Sequence, residues 1–161
     1  MEGPIIFICS GNTCRSPMAE VLLKAWLEQE GQKTEVYSRG LSAFMGDDAS
    51  WEAIRAVEAI GLNLESHRSQ RANPQELSAA GCIITMTDFH KRKILDIMPE
   101  LAGKVLSAQE IGGADIADPY GGNKKTYRKC LEAIAACLDK LWPGINQFVI
   151  RKRRVNDEEL F

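Results

Sequence analysis

At 161 residues, with 45% hydrophobic and 26% charged side chains, the chain fits one globular domain able to bury a core and does not fit a disordered or fibrous sequence. A net charge of -2 excludes the strongly basic surface of a general nucleic-acid binder, and the apolar run Ile5–Ile8 is too short for a signal peptide or membrane segment, which points to a cytoplasmic protein with no membrane partner. Five cysteines without C-x-x-C spacing suit a reducing compartment, and two scattered histidines do not make a metal-site pattern, so neither a metal nor an organic cofactor is expected.

Ile5-Ile6-Phe7-Ile8 is β-branched and aromatic and ends at Ser10-Gly11-Asn12, which reads as a buried first strand meeting a turn. Ser16-Pro17 supplies a helix cap and a proline suited to the first helical position. Met18, Val21, Leu22, Ala25 and Trp26 then recur at helical spacing as far as Gly31. Val36-Tyr37 is a short second strand, and Ala53, Ile54, Val57 and Ile60 form a helical stripe closed by Gly61. Cys82 to Met86 is a third strand, followed by a helix from about Asp88 to Met98 and a fourth strand around Lys104 to Leu106. A last helix begins near Asn123 with Tyr127, Leu131, Ile134, Ala135 and Leu138 on one face, and Pro143-Gly144 breaks or kinks it. Arg151-Lys152-Arg153-Arg154 and the acidic residues after it read as a solvated tail over residues 151–161.

This alternation predicts an α/β fold over residues 1–161: one three-layer domain with a parallel sheet and helices on both faces. The carboxyl ends of parallel strands share one edge, where ligands of such sheets bind. The loops after strands one, two and four should therefore face a common site.

Between the first strand and its helix lies Cys9-Ser10-Gly11-Asn12-Thr13-Cys14-Arg15-Ser16. A loop of this length can curl around a tetrahedral phosphate with successive N–H groups pointing inward, aided by the partial positive charge of the helix start. Gly11 and Asn12 tolerate the unusual backbone angles required. Arg15 can hold two phosphate oxygens as a planar fork, and the same positive field favours a nucleophilic Cys9. The Ser16 hydroxyl could donate to the Cys9 sulfur, or cap the helix before Pro17. A Cys and an Arg six residues apart form a weak pattern alone; the flanking strand, Gly-Asn turn and Ser-Pro helix start give it weight. A nucleotide-binding P-loop would need a lysine that is absent here.

Turnover by such a cysteine needs a group that protonates the departing atom and later deprotonates water. Asp118, in Asp118-Pro119-Tyr120-Gly121-Gly122 after the fourth strand, stands on the edge shared with Cys9, and Pro119 stiffens its presentation. An ordinary Asp-Pro turn is the alternative, and Asp115 is the nearest competitor for the role. Tyr120 and Phe44 are candidates for a pocket wall, or for core packing. Cys14, beside the nucleophile, reads either as its disulfide partner under oxidation or as a small apolar core residue.

The run from Cys9 to Glu20 resembles the signature of the low-molecular-weight protein tyrosine phosphatases, and length and element order match that family throughout. The resemblance implies a four-stranded parallel sheet, Cys9 as nucleophile, Arg15 as phosphate clamp, and Asp118 as acid through its Asp-Pro-Tyr motif. It also implies that His67, in Ser66-His67-Arg68-Ser69, orients Asn12; a free surface histidine is the alternative. The substrate would be a phosphorylated protein and the product inorganic phosphate. Thr13 followed by an Asp-Pro-aromatic-Gly-Gly loop resembles bacterial protein-arginine phosphatases, which tilts the reading to phosphoarginine, with phosphotyrosine close behind. Arsenate reduction would need a relay pair of cysteines, and Cys82 begins its strand rather than following it. A phosphate carrier would have no use for an acid at Asp118.

Overall fold

The computed structural model describes residues 2–159. Four strands, β1 (Ile5–Cys9), β2 (Val36–Gly40), β3 (Cys82–Thr85) and β4 (Val105–Ser107), form an all-parallel sheet in the order β2-β1-β3-β4. Seven helices accompany them: α1 (Arg15–Gln29), α2 (Trp51–Glu58), α3 (Pro74–Ala79), α4 (Asp88–Ile97), α5 (Ala108–Gly112), α6 (Lys124–Asp139) and α7 (Ile145–Glu159). A parallel strand covered on both faces reads as a continuous apolar run, and all five residues of β1 are buried. Ile5, Phe7 and Cys9 point into one core with Leu22, Val57, Leu131, Ile134 and Phe148, while Ile6 and Ile8 point into another with Ile83, Leu77, Ile94 and Val105. Each such side chain contributes about 1.5–3 kcal/mol by leaving water, so the sheet is held from both sides. The expected three layers, parallel sheet and strand positions are all present.

Three details differ from the sequence reading. α3 and α5, six and five residues long, are too short to show a helical period, although Asn73-Pro74 and the reciprocal Ser107–Glu110 capping box mark their starts. β2 runs on past Tyr37, pairing Ser38 with Phe7 and Gly40 with Cys9, which carries both residues to the site edge. Residues 151–159, read as tail, continue α7. Ile145, Phe148 and Val149 anchor that helix to the core, and the Asn156 amide donates to the Glu58 carbonyl at 2.9 Å near its far end, while Arg151, Lys152 and Arg154 stay exposed. Among the described residues, no helix is long and apolar enough to cross a membrane.

Candidate active site

β1 ends at Cys9 and α1 begins at Arg15, so Ser10 to Cys14 must reverse between a strand and a helix start. Asn12 takes the turn with φ 56°, the left-handed region that asparagine tolerates better than most residues. β2 supports the loop from below, where the Leu41 and Ser42 amides donate to the Cys9 and Ser10 carbonyls, each at 3.0 Å. Gly40 has to be glycine there: a Cβ would sit 2.5 Å from the Ser10 carbonyl oxygen and 3.0 Å from the Asn12 nitrogen.

Asn12 is fully buried and every polar atom of its side chain is engaged. Its amide nitrogen donates to Ser16 Oγ and Ser38 Oγ, both at 2.9 Å, and its Oδ1 accepts from the Gln70 amide at 2.9 Å. Its main-chain carbonyl accepts from His67 Nε2 at 2.7 Å, so His67 is not a free surface histidine. Ser38 in turn donates to Glu20 Oε1 at 2.6 Å. Since Ser16 Oγ accepts from Asn12, its own hydrogen is available to Cys9 Sγ at 2.8 Å. The cap reading of Ser16 therefore fails. Ser16 is the second residue of α1, Cys14 occupies the cap position without a side-chain cap bond, and the hydroxyl is turned inward to sulfur and amide.

Arg15 is buried, with Nη1 donating to the Ile116 carbonyl at 3.0 Å and Nη2 lying 3.7 Å from Asp118 Oδ2. Ile116 also donates its amide to the Met86 carbonyl at 2.9 Å, which fastens the loop after α5 to the residue that follows β3. The two candidate acids separate cleanly. Asp115 Oδ1 accepts the Asp88 amide at 2.9 Å at the start of α4, whereas Asp118 turns towards Arg15 with its side chain 55% exposed. Phe44 and Tyr120, 76% and 82% exposed, are not core aromatics. The Phe44 carbonyl accepts from the Ser69 hydroxyl, and the Tyr120 amide donates to Asp118 Oδ1 at 3.1 Å. Thr13 is partly exposed on the loop.

All five cysteines are free and buried. Cys14 Sγ lies 3.3 Å from Ser50 Oγ and 3.4 Å from the Tyr127 hydroxyl, and burial raises the Tyr127 phenol well above its ordinary range. Burial pushes the Cys130 thiol up to about 12 and raises Cys82 and Cys137, leaving them poor thiolates for any relay.

Sequence reasoning missed Ser38, Glu20, Gln70 and His90. His90 is 2% exposed between Ser10 Oγ (2.9 Å from Nε2) and Thr87 Oγ1 (2.8 Å from Nδ1). Burial and the nearby Arg15 charge lower its pKa to about 4. Glu20 ends the signature run but has no role readable there, and Ser38, Gln70 and His90 stand in no recognisable motif; folding brings them together around the loop.

Residues 4–154 match the family described as low molecular weight phosphotyrosine protein phosphatase. A protein-arginine-phosphatase of Geobacillus stearothermophilus is 34% identical over 140 residues, spanning 85% of this chain and 92% of that one. Among solved structures, a low molecular weight protein tyrosine phosphatase from T. tengcongensis superposes with a TM-score of 0.83 at 34% identity, covering 88% of this chain and 98% of the other. An arginine phosphatase in which the active-site cysteine is replaced by a phosphorylated serine superposes with a TM-score of 0.81 at 31% identity, over 94% and 98% of the two chains. The chain thus belongs to the low molecular weight phosphotyrosine protein phosphatase family.

Proposed function

We propose that the chain hydrolyses phosphorylated protein side chains through a phosphate ester on Cys9. The observation that carries this reading is the Ser16 hydroxyl, which accepts from Asn12 and so has its hydrogen free for Cys9 Sγ at 2.8 Å. A donor held on sulfur stabilises negative charge there, both in the attacking thiolate and when the same sulfur departs. The thiolate attacks phosphorus, forming the S–P bond as the bond to the substrate oxygen or nitrogen breaks. Loop amides from Ser10 to Cys14 and the Arg15 guanidinium hold the phosphoryl oxygens, and Asp118 gives its proton to the leaving atom. Water then attacks phosphorus, Asp118 takes its proton, and Cys9 leaves as thiolate with release of inorganic phosphate. His67 fixes the loop through the Asn12 carbonyl. Neither metal nor organic cofactor takes part, and chelators should leave the rate unchanged. The phosphorylated serine of the mutant arginine phosphatase supports phosphoryl transfer to this position.

Phosphoarginine on a cytoplasmic protein is the favoured substrate, ahead of phosphotyrosine. Thr13 offers a polar wall to a guanidinium, Asp118 can pair with that cation before protonating its nitrogen, and Phe44 and Tyr120 flank the entrance. Rapid quenching of the Asp118→Ala variant, followed by intact-mass and peptide analysis, should trap one phosphate on Cys9. Label on another residue, or none during active turnover, removes the intermediate. The ratio of kcat/KM on matched phosphoarginine and phosphotyrosine peptides decides the substrate.

A further inference from the structure

Beside the phosphate loop, beneath α3 and α4, runs a groove of about 480 Å³ that the hydrolytic steps do not use. Buried Leu77 and Ile94 lie at its base, while Phe89 and Ile97, 54% and 80% exposed, stand at its rim. Exposed side chains of that size on one short helix are a cost to an isolated protein unless something covers them. Among the described residues that line the groove there is no carboxylate; Lys93 supplies one exposed cation, its Nζ 5.4 Å from the Phe89 ring centroid.

Ser10 and His90 form the polar end of the groove, and Ser10 directly follows Cys9. Thr87 Oγ1 accepts the His90 amide at 3.2 Å and lies 2.8 Å from Nδ1, to which its hydroxyl can donate. In that arrangement, which we assign, the imidazole proton sits on Nε2 and donates to Ser10 Oγ at 2.9 Å. With its oxygen accepting from His90, the Ser10 hydroxyl has its hydrogen free for an acceptor entering from the groove. Burial and the Arg15 charge keep the His90 imidazole neutral at neutral pH, so one of its two nitrogens is an acceptor and the other a donor.

Building on the phosphatase reading, we infer that this groove is a second subsite of the substrate polypeptide, taking an apolar side chain close to the phosphorylated residue while Ser10 donates to a main-chain carbonyl. Continuity with the phosphate loop identifies the occupant. The inner end of the groove is itself a loop residue, and Ser42, also in the lining, donates its amide to the Ser10 carbonyl at 3.0 Å. An extended chain advances about 3.3 Å per residue, so a side chain one or two positions from the phosphorylated one falls about 3–7 Å further along, within reach of the groove.

The test is kcat/KM on paired phosphopeptides carrying leucine or glycine at one and two positions to either side of the phosphorylated residue. The wild type should prefer leucine at one position by about tenfold, the discrimination an apolar pocket typically supplies. Ile97→Asp and Phe89→Ser, both at the exposed rim, should bring that ratio close to one; Ile97→Asn serves as a second, milder variant with the same expectation. A wild type without leucine preference at any position, or an unchanged ratio in folded variants, overturns the inference. Concentration-dependent dimerisation abolished by Ile97→Asp, without any change in the ratio, also overturns it and assigns the groove to a second copy. Wild-type hydrolysis of p-nitrophenyl phosphate separates the two readings. Its absence sinks the phosphatase itself, whereas hydrolysis with an unmoved peptide ratio sinks the groove alone.

Discussion

The two sides of the candidate active site are built to opposite specifications. Around Cys9, Asn12, Ser16 and Ser38 are all buried, and each side chain is locked by at least one other. Across the cleft, Asp118 is half-exposed, reaches Arg15 only at 3.7 Å, and accepts from the Tyr120 amide of its own turn. A group that must cradle a charged phosphoryl does best with dipoles fixed beforehand, because no reorganisation is then needed during the reaction. An acid that must meet first a leaving atom and then a water is better left free to adjust.

Breaking the rigid side should have the largest effect. Cys9→Ser keeps the loop shape and its inward amides but loses the nucleophile, so turnover should fall by about 10⁴-fold or more while phosphate binding, measured by calorimetry, persists. Activity within tenfold of wild type would remove Cys9 from the mechanism.

Breaking the exposed side should be selective. Asp118→Asn should slow phosphomonoesters with poor leaving groups by about 10²–10⁴-fold and p-nitrophenyl phosphate far less, because the nitrophenolate leaves without a proton. Equal losses on both substrates would move the acid elsewhere, with Asp115, tied to the Asp88 amide, the first position to examine.

The pH dependence of stability sharpens the contrast. His90 binds its proton only near pH 4 when folded but near its ordinary 6.5 when unfolded, so between those values the unfolded chain holds more protons. Its contribution is complete above about pH 6.5 and is lost as pH falls towards 4, up to roughly 3 kcal/mol in all. Chemical denaturation across that range should give a steeper loss for wild type than for His90→Gln. Parallel curves would mean that His90 is not the group responsible.

The smallest effect is expected at Thr13. Thr13→Ile should lower phosphoarginine turnover and preserve or raise phosphotyrosine turnover, shifting their ratio by about tenfold, in keeping with the 1–3 kcal/mol that a few wall atoms supply. The position is partly exposed, so melting temperature should barely move. A ratio that stays fixed would assign substrate choice to other parts of the pocket.

Local chemistry made much of this protein legible. A β-branched run must be buried, a Gly-Asn pair permits the reversal before a helix, and a Cys and an Arg at the two ends of such a turn meet one anion. These are short-range constraints, readable wherever the residues are adjacent. For Ser16 the sequence left two readings, a donor to Cys9 and a helix cap, and only the folded loop, which turns the hydroxyl towards Asn12 and Cys9, decides for the first. Local reasoning failed for residues 151–159, where charge density suggested a tail but the docking of Ile145, Phe148 and Val149 carries the helix onward.

From its sequence alone the chain specified the strand-loop-helix around Cys9 and the alternating architecture, because each rests on neighbouring residues or on a repeated apolar period, while the choice of Asp118 over Asp115 came from the resemblance of its Asp-Pro-Tyr turn. Tertiary structure decided which distant groups complete the site. Ser38 reaches Asn12 across 26 positions, His67 across 55 and Gln70 across 58, while His90 meets Ser10 across 80. Hydrogen bonds of that reach leave no local period or spacing to read. They exist because parallel strand pairing brings the carboxyl ends of β1, β2 and β3 to one edge, where buried polar groups must find partners in one another.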